Sequence, residues 1–117
     1  MSYVDGFVVP VKKDRIEDYR RIAQASAALF KEYGALSLVE TVADDVPFGE
    51  LTSFPRAVQL AEDEIVVFSW IIYPSREVRD AANKKMTEDP RMKDAMADMP
   101  VDGKRMIFGG FTTLVEA

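Results

Sequence analysis

The chain has 117 residues, 48% of them apolar, and a formal net charge of −5. That length fits one domain, 1–117, with enough apolar material for a core. The charge argues against nucleic acid, whose phosphates need a basic face, and against anionic membrane surfaces. With no cysteine and no histidine, disulfides and thiolate chemistry are excluded, and the commonest general base and transition-metal ligand are missing.

Tyr3 to Val11 is β-branched and aromatic, ends near Pro10, and predicts a first strand. The opening Met-Ser-Tyr-Val-Asp-Gly lacks a basic region followed by an apolar stretch, so a signal peptide is not expected and a cytoplasmic location is. Asp14-x-x-Glu17 has capping-box spacing and predicts the start of a helix. Ile16, Tyr19, Ile22, Ala23, Ser26, Leu29, Phe30 and Tyr33 then recur as one apolar stripe, and Gly34 is placed to end the helix in the left-handed conformation.

Leu36 to Ala43 predicts a second strand. Residues 44–63 contain Pro47, Gly49 and Pro55 and are too long for a hairpin loop. They are read as an arm packing on the body or on a partner, with Arg56 to Leu60 as a short extended piece. The run 65–73, Ile-Val-Val-Phe-Ser-Trp-Ile-Ile-Tyr, is broken only by Ser69 and predicts a central strand buried on both faces. Pro74-Ser75 stops it, and Ser75 caps a second helix from Arg76 to about Met86. Asp89-Pro90 restarts helix, carrying Met92, Ala95, Met96 and Met99. Asp102-Gly103 is a turn, and Arg105 to Val115 predicts the last strand.

The order β-α-β-β-α-β defines an α+β, ferredoxin-like fold with a four-stranded antiparallel sheet and helices on one face. The other face needs a cover. With Tyr3, Phe7 and Val9 from the first strand and Met106, Phe108 and Leu114 from the last assigned to it, the expected cover is a second copy of the chain.

Tyr-Val-Asp-Gly-Phe-Val-Val-Pro-Val at 3–11, Val-Ala-Asp-Asp-Val-Pro at 42–47, Thr-Ser-Phe-Pro-Arg-Ala-Val-Gln-Leu at 52–60, Val-Val-Phe-Ser-Trp-Ile at 66–71 and Asp-Gly-Lys-Arg-Met-Ile-Phe-Gly-Gly-Phe at 102–111 span nearly the whole chain. Together they resemble the YbaA-like family, domain of unknown function 1428. The resemblance implies a dimeric α+β barrel. It implies no activity, and borrowing one from other branches of that group would be analogy of fold alone.

Asp5 and Glu40 are the first site candidates, as carboxylates inside apolar strands. If both face the barrel interior they share a cavity, where desolvation would suit one to acid–base work; the structural alternative is an ion pair or a hydrogen-bonded acid. Arg56, Lys104 and Arg105 are the cationic candidates, able to hold a carboxylate or phosphate or to serve structural pairs. Ser69 and Trp70 fall on opposite faces of the central strand. Ser69 has no histidine to activate it, and Trp70 could stack on a planar ligand or serve the core. Gly109-Gly110 inside a strand points to a close approach of a helix or a partner, with a ligand lying against the bare backbone as the alternative. No metal and no cofactor is expected, and catalytic residues stay unassigned. The expected function is a homodimer binding a small organic ligand in or beside the barrel. The alternatives are a cofactor-independent isomerase or monooxygenase using buried carboxylates, and a protein-interaction module.

Overall fold

In the computed structural model, which describes residues 2–117, four antiparallel strands form one sheet in the order β2-β3-β1-β4. β1 (Tyr3–Lys12) pairs along its whole length with β3 (Glu64–Tyr73) at the centre. β2 (Ser37–Val42) and β4 (Ile107–Thr112) are the edges. This is the ferredoxin-like α+β arrangement that the element order predicts. No helix among the described residues is long and apolar enough to cross a membrane.

The two long helices, α1 (Ile16–Glu32) and α3 (Arg76–Glu88), lie on one face. α1 buries Tyr19, Ile22, Ala23, Ser26 and Leu29, one stripe at helical spacing. Tyr19 and Ala23 join Val9, Val11 and Val67 in one core cluster; Ala35, Ile71, Tyr73 and Ala82 form the other. Each large side chain buried there contributes roughly 1.5–3 kcal/mol. Gly34 has φ +115° where the chain leaves α1 for β2, and a Cβ there would meet Val78 at 2.8 Å, so both backbone and packing require glycine.

Asp14 does not cap α1. It falls in a 3-10 turn, Lys13–Arg15, that follows β1 directly, and Arg15 at the helix start makes no side-chain cap bond. A capping residue needs extended backbone, and the turn leaves none. Ser75 and Asp89 do cap: they accept from the amides of Val78 and Arg91, and so open α3 and α4 (Pro90–Met96). Arg91 then bridges Asp89 and Glu32 at 2.7 and 2.8 Å and ties α4 to the end of α1.

The arm holds a single helical turn, α2 (Phe54–Ala57), where an extended piece was expected. Ser53 caps it by accepting from the Arg56 amide, and Pro55 pre-sets its first turn. The arm lies on the helix-free face of its own sheet, with the Phe54 ring 5.5 Å from that of Phe68 and Val58 fully buried. β4 is shorter than predicted. Arg105 stays in the preceding turn, held by Asp102 and Glu64, and beyond Thr112 the strand runs out of β1 to pair with.

The face assignment is inverted relative to the sequence expectation. Tyr3, Asp5, Phe7 and Val9 share the helix-covered side with Val67, Ser69, Ile71 and Tyr73. The helix-free side carries Val39, Phe68, Trp70, Ile72, Ile107 and Phe111. Alternation along a strand sorts residues into two sets without saying which set meets the helices. Gly6 and Gly109 face each other on the helix-free side, and the Phe111 ring, 62% exposed, lies over both.

Candidate functional site

A groove of about 290 Å³ opens between α1 and the edge strand β2. Its origin is a size mismatch. Ile16, Tyr19, Ala23 and Ala27 line it from the helix, and the two alanines are too short to reach β2. β2 contributes Leu38, Glu40 and Val42 from its helix-facing side, and Val67 of β3 closes the floor. The walls are therefore mainly apolar.

One polar pair interrupts them. The Tyr19 hydroxyl donates to Glu40 Oε1 at 2.7 Å. Tyr19 is buried, so its hydroxyl needs such a partner. Glu40 sits at the groove mouth, open to solvent on its other side. Loss of water around its carboxyl pushes its pKa above the ordinary glutamate value, while the hydroxyls of Tyr19 and Ser69 hold it back. Burial, and then the neighbouring Glu40 charge, push the Tyr19 phenol far above its usual value. Ser69 lies directly across the ladder from Glu40 and is buried between it and Phe7. A carboxyl with one oxygen engaged, a phenol and a serine thus meet at the edge of an apolar slot.

Asp5 is on the same side of the sheet but outside the groove. β3 stands between β1 and β2, which puts the two acids' strands roughly 10 Å apart. Asp5 faces Arg79 of α3 at 3.4 Å, and Arg79 also donates to the Tyr3 hydroxyl at 2.9 Å. Burial pushes the Asp5 pKa up, and the Arg79 charge opposes it. The shared cavity expected for the two acids is not formed. Gly110 belongs to this second cluster: a Cβ there would collide with the Tyr3 hydroxyl and lie 2.8 Å from Arg79. The Tyr73 hydroxyl is also buried on this side, without a hydrogen-bond partner among the described residues.

The cationic candidates are placed elsewhere. Arg56 reaches neither acid; it donates to the carbonyls of Phe48 and Gly49 and lies over the Phe48 ring at 4.1 Å, which folds the arm on itself. Arg105 grips Glu64 with two bonds of 2.7 and 2.6 Å and reaches the Gln59 carbonyl at 3.0 Å. That pair holds the Glu64 carboxyl down at about 2. Lys104 is exposed in the turn before β4. Trp70 lies on the helix-free face, edge-on to Phe68 at 5.6 Å.

Tyr19 and Arg79 are the residues that the sequence reading passed over. Tyr19 stood there as part of the apolar stripe, and Arg79 was not singled out. The available signal was the partner: a tyrosine in a buried stripe and an acid in an apolar strand both need a hydrogen-bonding neighbour.

The family model described as "Protein of unknown function (DUF1428)" matches residues 2–103. The chain belongs to that family. DUF1428 relatives include the uncharacterized protein YbaA of Escherichia coli strain K12, 59% identical over 116 residues and 99% of each chain, and that of Shigella flexneri at the same identity and coverage. Solved structures reproduce the fold at low identity. A NIPSNAP family protein from Agrobacterium tumefaciens has a TM-score of 0.65 at 13% identity, covering 97% of this chain and 94% of that one. SnoaB, a cofactor-independent oxygenase from Streptomyces nogalater, seen in a mutant form, gives 0.64 at 11%, covering 98% and 95%. Rv0793 from Mycobacterium tuberculosis gives 0.62 at 15%, covering 100% and 99%. These likenesses establish the ferredoxin-like fold of a DUF1428 protein and carry no activity to it.

Proposed function

We propose that this DUF1428 protein is a homodimer that binds a small organic ligand in the groove between α1 and β2. The observation that carries the ligand reading is the Tyr19–Glu40 pair at the edge of an otherwise apolar slot. Binding sites for small molecules have this composition: apolar walls and a few convergent polar groups, one of them with a perturbed pKa. The test is a set of small aromatic and aliphatic compounds, titrated by ligand-observed NMR against the wild type and Ala27→Leu. The substitution adds bulk inside the slot while keeping a good helix former. Binding to the wild type that is lost in the variant is expected; equal binding to both would remove the groove from the account.

The dimer reading rests on the helix-free face. Its exposed Phe68, Ile107 and Phe111 form an apolar surface, part of which the arm already covers. Sedimentation should give twice the 13.1 kDa chain mass, and Phe111→Asp should give single chains. Single chains at every concentration of the wild type would contradict it.

Glu40 also supports a second reading, in which it takes a proton from a bound carbon acid without a cofactor. Glu40-dependent incorporation of deuterium from heavy water into such compounds would be its signature. Incorporation that is unchanged in Glu40→Gln would rule it out.

A further inference from the structure

The polar side chains on the inner walls of the groove, Tyr19 and Glu40, offer an entering group mainly acceptors. The Tyr19 proton is spent on Glu40 Oε1, which leaves the rest of the Glu40 carboxylate, beside Ser69, and a lone pair of the phenol as acceptors. Arg20, in the lining at the rim, is exposed and paired with Glu17 at 3.0 Å. Gln24, also at the rim, is exposed. A carboxylate or phosphate entering this slot would meet a carboxylate, and the cation in the lining, Arg20, is already held by Glu17. A donor would find one carboxylate oxygen already oriented by Tyr19 and backed by Ser69.

We propose that the ligand of this groove carries a hydrogen-bond donor, an ammonium or a hydroxyl group, on a small apolar body, and that the donor docks on Glu40. The inference rests on the groove reading above and adds the chemical class. The body lies against Ala23, Ala27, Leu38 and Val67, where burial of apolar surface drives binding. The head pairs with the Glu40 carboxylate on its solvent-open side. Ammonium binding needs Glu40 ionised, so its affinity falls as pH drops through the raised Glu40 pKa. The titratable or charged groups facing Glu40 are Tyr19 and Arg20 from α1; β3 presents the neutral Ser69 and β2 the apolar Leu38 and Val42.

Four compounds with one phenylethyl body test this: 2-phenylethylamine, 2-phenylethanol, ethylbenzene and 3-phenylpropanoate. Each is titrated into the full chain, wild type, Glu40→Gln and Ala27→Leu, by ligand-observed NMR. A charge-assisted hydrogen bond predicts that the amine binds about tenfold tighter than ethylbenzene. The alcohol should lie between them and the carboxylate last. Glu40→Gln should abolish the amine's advantage while ethylbenzene affinity stays. If the four bind the wild type alike, the proposed class is wrong and the groove reading survives. If the carboxylate binds tightest, and Arg20→Ala removes that binding, the class is also wrong, with the rim cation as the recognising group. If none binds, or all bind Ala27→Leu equally, the groove reading falls and this inference falls with it.

Discussion

Asp5 and Glu40 stand on the same side of one sheet, and desolvation pushes both carboxyls above their ordinary values. Their surroundings then diverge. Asp5 is buried beneath α3 and faces the Arg79 guanidinium, which also holds Tyr3, with Gly110 making room for that pair. Glu40 has a phenol as its partner, sits beside α1 and opens to a slot. The contrast follows from which helix covers each strand. α3 brings a long cation over β1, and α1 brings alanines over β2. A buried acid with a cation is a structural pair; a desolvated acid with a neutral partner and free space is available to a ligand.

The comparison breaks most visibly on the Asp5 side. Arg79→Met leaves a buried carboxylate without its counter-charge and should cost about 3 kcal/mol in urea unfolding followed by Trp70 fluorescence. The sign with pH is fixed. Arg79 lowers the Asp5 pKa, so its removal raises that pKa further above the ordinary value of 3.8. An acid with a raised folded pKa gives its stability below the unfolded value and loses it as pH rises through the folded one. The deficit of the variant is therefore largest near neutrality and shrinks on acidification. A deficit that is constant across that range would mean that Arg79 acts only through packing.

Glu64 sharpens the contrast from the opposite direction, because Arg105 lowers its pKa from 4.5 to about 2. Its stabilisation is present above 4.5 and lost as pH falls toward 2. Arg105→Gln should flatten that acid limb of the stability profile and leave the Asp5 behaviour untouched. The smallest effect belongs to the groove. Tyr19→Phe removes one hydrogen bond, at about 1 kcal/mol, and should move the Glu40 pKa further up without moving that of Asp5. Carbon-13 titration of the carboxyl groups separates the two.

Element types and order were legible because period and punctuation agree. Ser75 and Asp89 cap where their spacing says, and Gly34 ends α1 where only glycine fits. The sign of the faces was not legible. Both parities of β1 are apolar, so nothing local says that Phe7 and Val9, rather than Val4 and Val8, meet the helices. The pairings were hidden for a related reason. Arg79 and Asp5 are far apart in sequence, and Tyr19 and Glu40 meet only once α1 crosses β2. Asp14 shows the converse error, a correct motif whose backbone is committed to a turn.

The most direct test follows the Asp5 and Glu40 carboxyl carbons by NMR while 2-phenylethylamine is added to the full chain. The account predicts that the Glu40 resonance shifts in a saturable way, that Asp5 does not, and that Tyr19→Phe changes the Glu40 response alone. Equal shifts at both acids, or none at Glu40 when the amine is bound, would contradict it.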